Sequence, residues 1–247
     1  MPIVDLTSTS HDQPLRRVAI FGDTGSGKTV ALATLLKLGT LAVFDYDEQA
    51  GKLYEFASAW GLDTAKLTVH SINPAEARSY KNTRALVREY RQGKRVCDFV
   101  AVDSITAAYD MCLIEGRELS GETDPGELSW EGGYRSASDH YDILIEDIFG
   151  IPCKSVIFNA HMNEEYDKKG EFVKVTPAFP GKKKTHLLRR FRAILTAEVK
   201  VRRVNDKTER EYTWASAPSS RRIVRAPGMN FPERMGQDYS LLFGDRR

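Results

Sequence analysis

Eight residues, Gly22-Asp23-Thr24-Gly25-Ser26-Gly27-Lys28-Thr29, constrain this chain more than any other stretch of it. They match the spacing G-x-x-x-x-G-K-[ST] and stand between a strand-length apolar run, Arg17 to Phe21, and a helical stretch from Lys28 to about Leu38. Glycines at these positions let the chain wrap so that its N–H groups point inward at phosphate oxygens, and the start of the helix adds partial positive charge. In such a loop the lysine, here Lys28, bridges β- and γ-phosphates and the Thr29 hydroxyl ligates Mg²⁺. Gly22, Asp23, Thr24, Gly25, Ser26, Gly27, Lys28, Thr29 and Val30 are therefore the expected phosphate-binding residues.

The rest of the chain indicates what carries that loop. Apolar strand-length runs at Leu41 to Asp45, Leu67 to Ile72, Phe99 to Asp103 and Ser155 to Asn159 alternate with helical stretches. The helices are expected from Asn73-Pro74 to about Gln92, from after Asp103 to about Leu119, and from about Tyr134 to Phe149. Asn73 would cap the first of these and Pro74 would take its first position. This alternation predicts an α/β fold with a mainly parallel central sheet flanked by helices. Ser120 to Gly133 is rich in Gly, Pro and acidic residues and reads as a loop. From Met162 to Phe179 the period disappears, which predicts a longer loop with a hairpin turn at Asp167-Lys168-Lys169-Gly170. Arg192 to Val204 and Glu211 to Ala215 read as strands about Asn205-Asp206-Lys207, a small antiparallel C-terminal extension. The tail after Pro227 reads as irregular, with an apolar clip at Tyr239 to Phe243. The division expected is a stub over 1–16, a core over 17–200, and strands and tail over 201–247 packed on the core.

A chain of 247 residues fits one domain with embellishments, and 41% hydrophobic residues with a formal net charge of +2 exclude general disorder. No run approaches the ~18–20 apolar residues of a membrane span, and Met1 to Asp5 lacks a basic region leading into an apolar one. A cytoplasmic protein without membrane contact is the expectation. Cys97, Cys112 and Cys153 lack ligand spacing and read as reduced thiols. Charge is uneven: Gly181 to Arg225 holds fourteen basic residues against four acidic ones, a candidate polyanion surface.

A phosphate loop needs a partner for its metal. Phe99-Val100-Ala101-Val102-Asp103 places a carboxylate at the carboxyl end of a buried strand, the edge at which ligands sit in open parallel sheets. Hydrolysis also needs a group that orients or deprotonates water. Asp45-Tyr46-Asp47-Glu48 follows the second strand, and Asp47 and Glu48 are both candidates. The fifth strand ends in Asn159-Ala160-His161, where His161 could sense the γ-phosphate and pass its loss to the next loop.

The whole arrangement resembles the RecA-like recombinase core over roughly residues 17 to 200. The likeness rests on the phosphate loop, the carboxylates after the second strand, Val102-Asp103-Ser104-Ile105-Thr106-Ala107-Ala108, Phe158-Asn159, and Gly181 with Leu187 to Leu195. The chain's size, and His161 where RecA-type proteins place Gln, look more like the compact phage-encoded RecA-like ATPases of single-strand annealing and recombination. The resemblance implies a RecA-like P-loop NTPase with ATP and Mg²⁺ as cofactors. Its partners would be single-stranded DNA, copies of itself in a ring or filament, and a single-strand-binding protein.

It also implies two DNA-binding loops, at about Ser120 to Ser136 and about Met162 to Lys184. The first would use Trp130 and Arg135, although Glu122, Asp124, Glu127 and Glu131 repel phosphate. The second would use Lys168, Lys169 and Lys174, then Lys182, Lys183 and Lys184, with Tyr166 and Phe172 for stacking. Some of those lysines, or Arg221 and Arg222, could instead reach a neighbouring subunit's ATP. The alternative is a translocating motor of the helicase or packaging type. A small-molecule kinase and a switch without turnover are more distant readings.

Overall fold

The computed structural model describes residues 17–76, 78–121, 133–178, 187–204, 207–217, 224–226 and 231–244. The stub over 1–16, Trp130, the acidic residues 122–131, Lys182, Lys183, Lys184, Arg221 and Arg222 lie outside them.

Strand β1 (Arg17–Phe21) leads into α1 (Lys28–Ala31), which continues as a tighter 3-10 turn over Leu32–Lys37. Then follow β2 (Leu41–Asp45), α2 (Lys52–Ala59), β3 (Leu67–Ser71), α3 (Ser79–Arg91), β4 (Phe99–Asp103), α4 (Ile105–Ser120), α5 (Arg135–Phe149) and β5 (Ser155–Ala160). The remainder is β6 (Met162–Tyr166), β7 (Phe172–Pro177), β8 (Ala193–Val204), β9 (Lys207–Ala215), β10 (Arg234–Gly236) and α6 (Ser240–Phe243).

One sheet holds eight of these strands in the order β10-β9-β8-β1-β5-β4-β2-β3. Every pair from β8 to β3 is parallel, whereas β9 runs antiparallel to both of its neighbours, β8 and β10. The expected α/β sheet is therefore present, and its antiparallel part extends the same sheet rather than forming a separate layer. Parallel strands buried on both faces need helices on both, and side chains alternate between two cores. Val18 and Ile20 of β1 pack with Leu32, Leu35, Leu53, Leu195, Trp214 and Tyr239; Ala19 and Phe21 pack with Phe44, Val102, Tyr141, Leu144 and Phe158. On the second side α3 and α5 are tied by Asp147, which accepts from Arg84 Nε at 3.0 Å and also pairs with Arg91.

Four local expectations change. Asn73 does not start a helix: its Oδ1 accepts from Ala75 N at 2.9 Å in a tight turn, Arg78 has φ of 66°, and α3 begins at Ser79. The segment after Met162 is a two-stranded antiparallel hairpin, β6–β7, whose half-exposed strands show no single buried face. The return strand β9 begins at Lys207, four residues before Glu211. The C-terminal stretch is more ordered than an irregular tail: β10 joins the sheet and Tyr239 is fully buried.

Candidate active site

The phosphate loop starts where β1 ends, with Gly22 N donating to Ala160 O of the neighbouring β5 at 3.2 Å. Gly22 is there for closeness. A Cβ on it would lie 2.5 Å from Ser26 Oγ and 2.8 Å from the Ala197 carbonyl oxygen of β8. Gly25 and Gly27 are there for conformation, with φ of 79° and 88°, a region L side chains avoid. Their turns draw the Lys28 ammonium into the loop, where it donates to Gly22 O at 2.6 Å, Asp23 O at 2.9 Å and Ser26 Oγ at 3.5 Å. Burial lowers the Lys28 pKa, against the pull of Asp103, Asp23 and Asp47. These carboxylates surround the one buried cation of the loop.

Asp103 ends β4, and β5 separates that strand from β1. Asn159 of β5 reaches across, its Nδ2 donating to Asp103 Oδ1 at 3.2 Å. Burial first of all, with the charge of Asp47 adding to it, pushes the Asp103 carboxyl up to about 6, while Thr29, Asn159 and Lys28 pull it down. Asp103 Oδ2 and Asn159 Oδ1 are both buried without a hydrogen-bond partner. Two orphaned oxygens beside the Thr29 hydroxyl make a hard-oxygen donor set, which fits Mg²⁺ completed by phosphate oxygens and water. Among the described residues no group of three His, Cys, Asp or Glu could hold a metal ion.

The three carboxylates after β2 separate in space. Asp45 is buried and serves the backbone: its Oδ1 accepts from Gln49 N at 3.2 Å and its Oδ2 from Ala50 N at 2.9 Å. The left-handed turn at Glu48, φ 54°, directs those N–H groups back at it and leaves the Glu48 side chain exposed. Asp47 faces the site. Burial would raise its pKa, but hydrogen bonds from His161 and Ser104 and the charges of His161 and Lys28 hold it below the ordinary carboxylate value. The His161 contact, Nε2 to Asp47 Oδ2, is 3.0 Å, and His161 N donates to Thr106 Oγ1 at 3.3 Å. An ionised, positioned carboxylate next to a buried lysine and a metal-type aspartate can orient water for attack on a phosphoryl group.

Of the candidate nucleic-acid residues, Lys168 and Lys169 sit exposed at the tip of the β6–β7 hairpin, on a turn closed by Asp167 Oδ1 accepting from Lys169 N and Glu171 N. Lys174 is engaged with Glu165 at 3.3 Å. Arg135 is exposed at the first position of α5.

Reading the sequence alone missed two groups. Ser104 caps α4, accepting from Ala107 N at 3.3 Å, and also bonds to Asp47; its place right after Asp103 is the signal that could have found it. Gln237 donates from Nε2 to Ser26 O at 2.7 Å across 211 residues, a contact with no local signature.

No helix among the described residues is long and apolar enough to cross a membrane. No curated protein matches the sequence. Among solved structures, an ATPase from the type III secretion system of pathogenic bacteria is similar at 12% identity and a TM-score of 0.47. That likeness covers 75% of this chain and about half, 52%, of the other, and is too slight to bear on function. The family model described as an AAA domain, AAA_24, matches residues 15–221, most of the chain and every residue of the site built above except Gln237. With its phosphate loop, strand-end aspartate and mainly parallel sheet, the chain belongs to this AAA domain family of P-loop ATPases.

Proposed function

We propose that the protein is a Mg²⁺-dependent ATPase that binds single-stranded DNA and uses hydrolysis to change its grip during DNA recombination, annealing or repair. The observation that carries this reading is the contact of His161 with Asp47, because His161 is also the residue that joins β5 to the β6–β7 hairpin. Thr29 and Asp103 are the residues for Mg²⁺, which supplies charge neutralisation on the phosphates when bound. Lys28 gives up its loop carbonyl partners for phosphate oxygens. Asp47 aligns a water and accepts its proton as the water oxygen bonds to the γ-phosphorus and the bond to the β–γ bridging oxygen breaks, leaving ADP and phosphate. His161 reports that loss to the hairpin.

On the DNA side, Lys168 and Lys169 at the hairpin tip, Lys174 on β7 and Arg135 are the candidate cations among the described residues, and the exposed Tyr166 is a stacking surface. Trp130 and Lys182 to Lys184 belong to the same proposal from the sequence. So do assembly into a ring or filament, a single-strand-binding protein as partner, and a cytoplasmic setting.

The test is fluorescence anisotropy of a labelled oligothymidylate with ADP or a non-hydrolysable ATP analogue. A coupled machine should show an affinity difference between the two states of roughly 5- to 150-fold, and His161→Ala should abolish it while leaving DNA binding in one state. No DNA binding in either state at low salt would contradict the proposal.

A further inference from the structure

Strand β8 runs beside β1 with Thr196 opposite Phe21, so it passes the root of the phosphate loop and continues to Val204. On its return β9 places Trp214 opposite Ala197, Tyr212 opposite Val199 and Arg210 opposite Val201. Residues directly opposite in an antiparallel pair share a face. That face is turned to the loop: a Cβ on Gly22 would lie 2.9 Å from Ala197 Cβ, and one on Gly27 would lie 2.9 Å from Tyr212 Cδ1. Beyond Ala197 the face is no longer covered, with Val199 38%, Val201 62% and Tyr212 37% exposed. An aromatic ring and two valines thus form an open apolar strip that begins at the helical end of the phosphate loop.

Gln237 stands at the same place. Its Nε2 donates to Ser26 O at 2.7 Å and to Thr213 O at 3.1 Å. Carbonyl oxygens only accept, so these two partners fix which way the amide points. Its Oε1 is therefore the atom beside Gly27, 2.6 Å from where a Cβ would be, and no described residue donates to it. Neither Tyr212 nor Gln237 has a part in the hydrolysis outlined above.

We infer that Tyr212, Val199 and Gln237 form the nucleobase half of the site and select adenine; this rests on the reading that the phosphate loop binds a nucleoside triphosphate. The flat face of the base packs on the Tyr212 ring, and the exocyclic amine of adenine donates to Gln237 Oε1. Guanine presents a carbonyl oxygen in place of that amine, so the two acceptors would face each other unpaired.

Titration calorimetry with ATP, GTP and inorganic tripolyphosphate tests this, the last filling the phosphate loop without a base. Wild type should bind ATP at least about tenfold more tightly than GTP, the loss expected when a single acceptor is left facing another acceptor unpaired. Tyr212→Ala should weaken ATP by roughly 5- to 150-fold, the usual loss for a stacked base, with tripolyphosphate unchanged and Tyr212→Phe close to wild type. Gln237→Leu should bring ATP and GTP together; because it also removes the hydrogen bond to Ser26 O of the phosphate loop, the ratio of the two affinities is what is read, with tripolyphosphate measuring any loss common to both. Equal affinity of the wild type for ATP and GTP, or ATP binding untouched by Tyr212→Ala, overturns the base subsite alone. A wild type that binds neither ATP nor tripolyphosphate overturns the phosphate-loop reading and this subsite together.

Discussion

His161 Nε2 lies 3.0 Å from Asp47 Oδ2, and His161 is the single residue between β5 and β6. Asp47 follows β2, which is not a neighbour of β5; β4, with Asp103 at its end, lies between them. The contact therefore arches over the metal-type aspartate and ends at the foot of the exposed hairpin. In the proposed mechanism, a change in what Asp47 holds would reach the hairpin through this one side chain.

The two carboxylates that the sequence leaves open are separable by mutation. Asp47→Asn should lower ATP turnover by about 10²- to 10⁴-fold, the usual worth of a positioned general base, with nucleotide affinity retained. Glu48→Gln, on an exposed side chain, should stay within about threefold of wild type, since surface substitutions away from special contacts have small effects. Steady-state phosphate release checks both.

Lys28→Ala should abolish turnover, with a loss of about 10²-fold or more for removal of a preorganised charge from the transition state. The fold should not suffer. Burial lowers the Lys28 pKa, so the folded protein holds its charge at a cost that offsets the loop hydrogen bonds lost with it, and the variant's thermal midpoint should stay near that of wild type in the absence of nucleotide. Calorimetric melting of both proteins checks this.

Asp103 sets a pH dependence in the protein free of metal and nucleotide. Burial raises its carboxyl to about 6, so between the unfolded value near 4 and about 6 the folded state keeps a proton that the unfolded state has lost. That contribution is complete below about pH 4 and is lost as pH rises through about 6, at most ~3 kcal/mol. Asp47, held low, acts in the opposite sense and below pH 4, outside this window. The thermal midpoint should therefore fall from about pH 5 to about pH 7 in wild type, and Asp103→Asn should melt higher at neutral pH with that slope reduced.

Gly22→Ala should separate packing from chemistry. Its Cβ would meet the Ala197 carbonyl of β8 as well as Ser26 Oγ, and a backbone oxygen cannot rotate away. A cost of about 1–3 kcal/mol in stability is expected, together with loss of nucleotide binding, measurable by denaturant melts and by titration with ATP.

The parts of the site legible in the sequence are those whose chemistry is local. The phosphate loop declares itself by spacing, and Asp103 by standing at the end of a wholly apolar run. Asp47 and Glu48 are equivalent on paper; the left-handed turn at Glu48 gives the backbone N–H groups that follow it to Asp45, leaves Asp47 at the site and puts Glu48 in solvent. Asn73-Pro74 carries the chemistry of a helix cap, but the asparagine closes a turn on Ala75 and the chain needs Arg78 in a left-handed conformation before α3 can begin. The β6–β7 hairpin lacks a period because neither of its faces is uniformly buried. Gln237 is unreadable for a different reason: its partner Ser26 is 211 residues away, and only the path of β8, β9 and β10 across the sheet brings them together.

The most direct test of the account is the rate of ATP turnover with and without single-stranded DNA, on wild type and Lys28→Ala, at about 50 mM and about 200 mM salt. We expect DNA to raise turnover in wild type, the increase to shrink at the higher salt because each phosphate contact weakens single-strand binding with a slope of about −0.7, and Lys28→Ala to show no turnover in any condition. Turnover indifferent to DNA at both salts, or undiminished in Lys28→Ala, would contradict it.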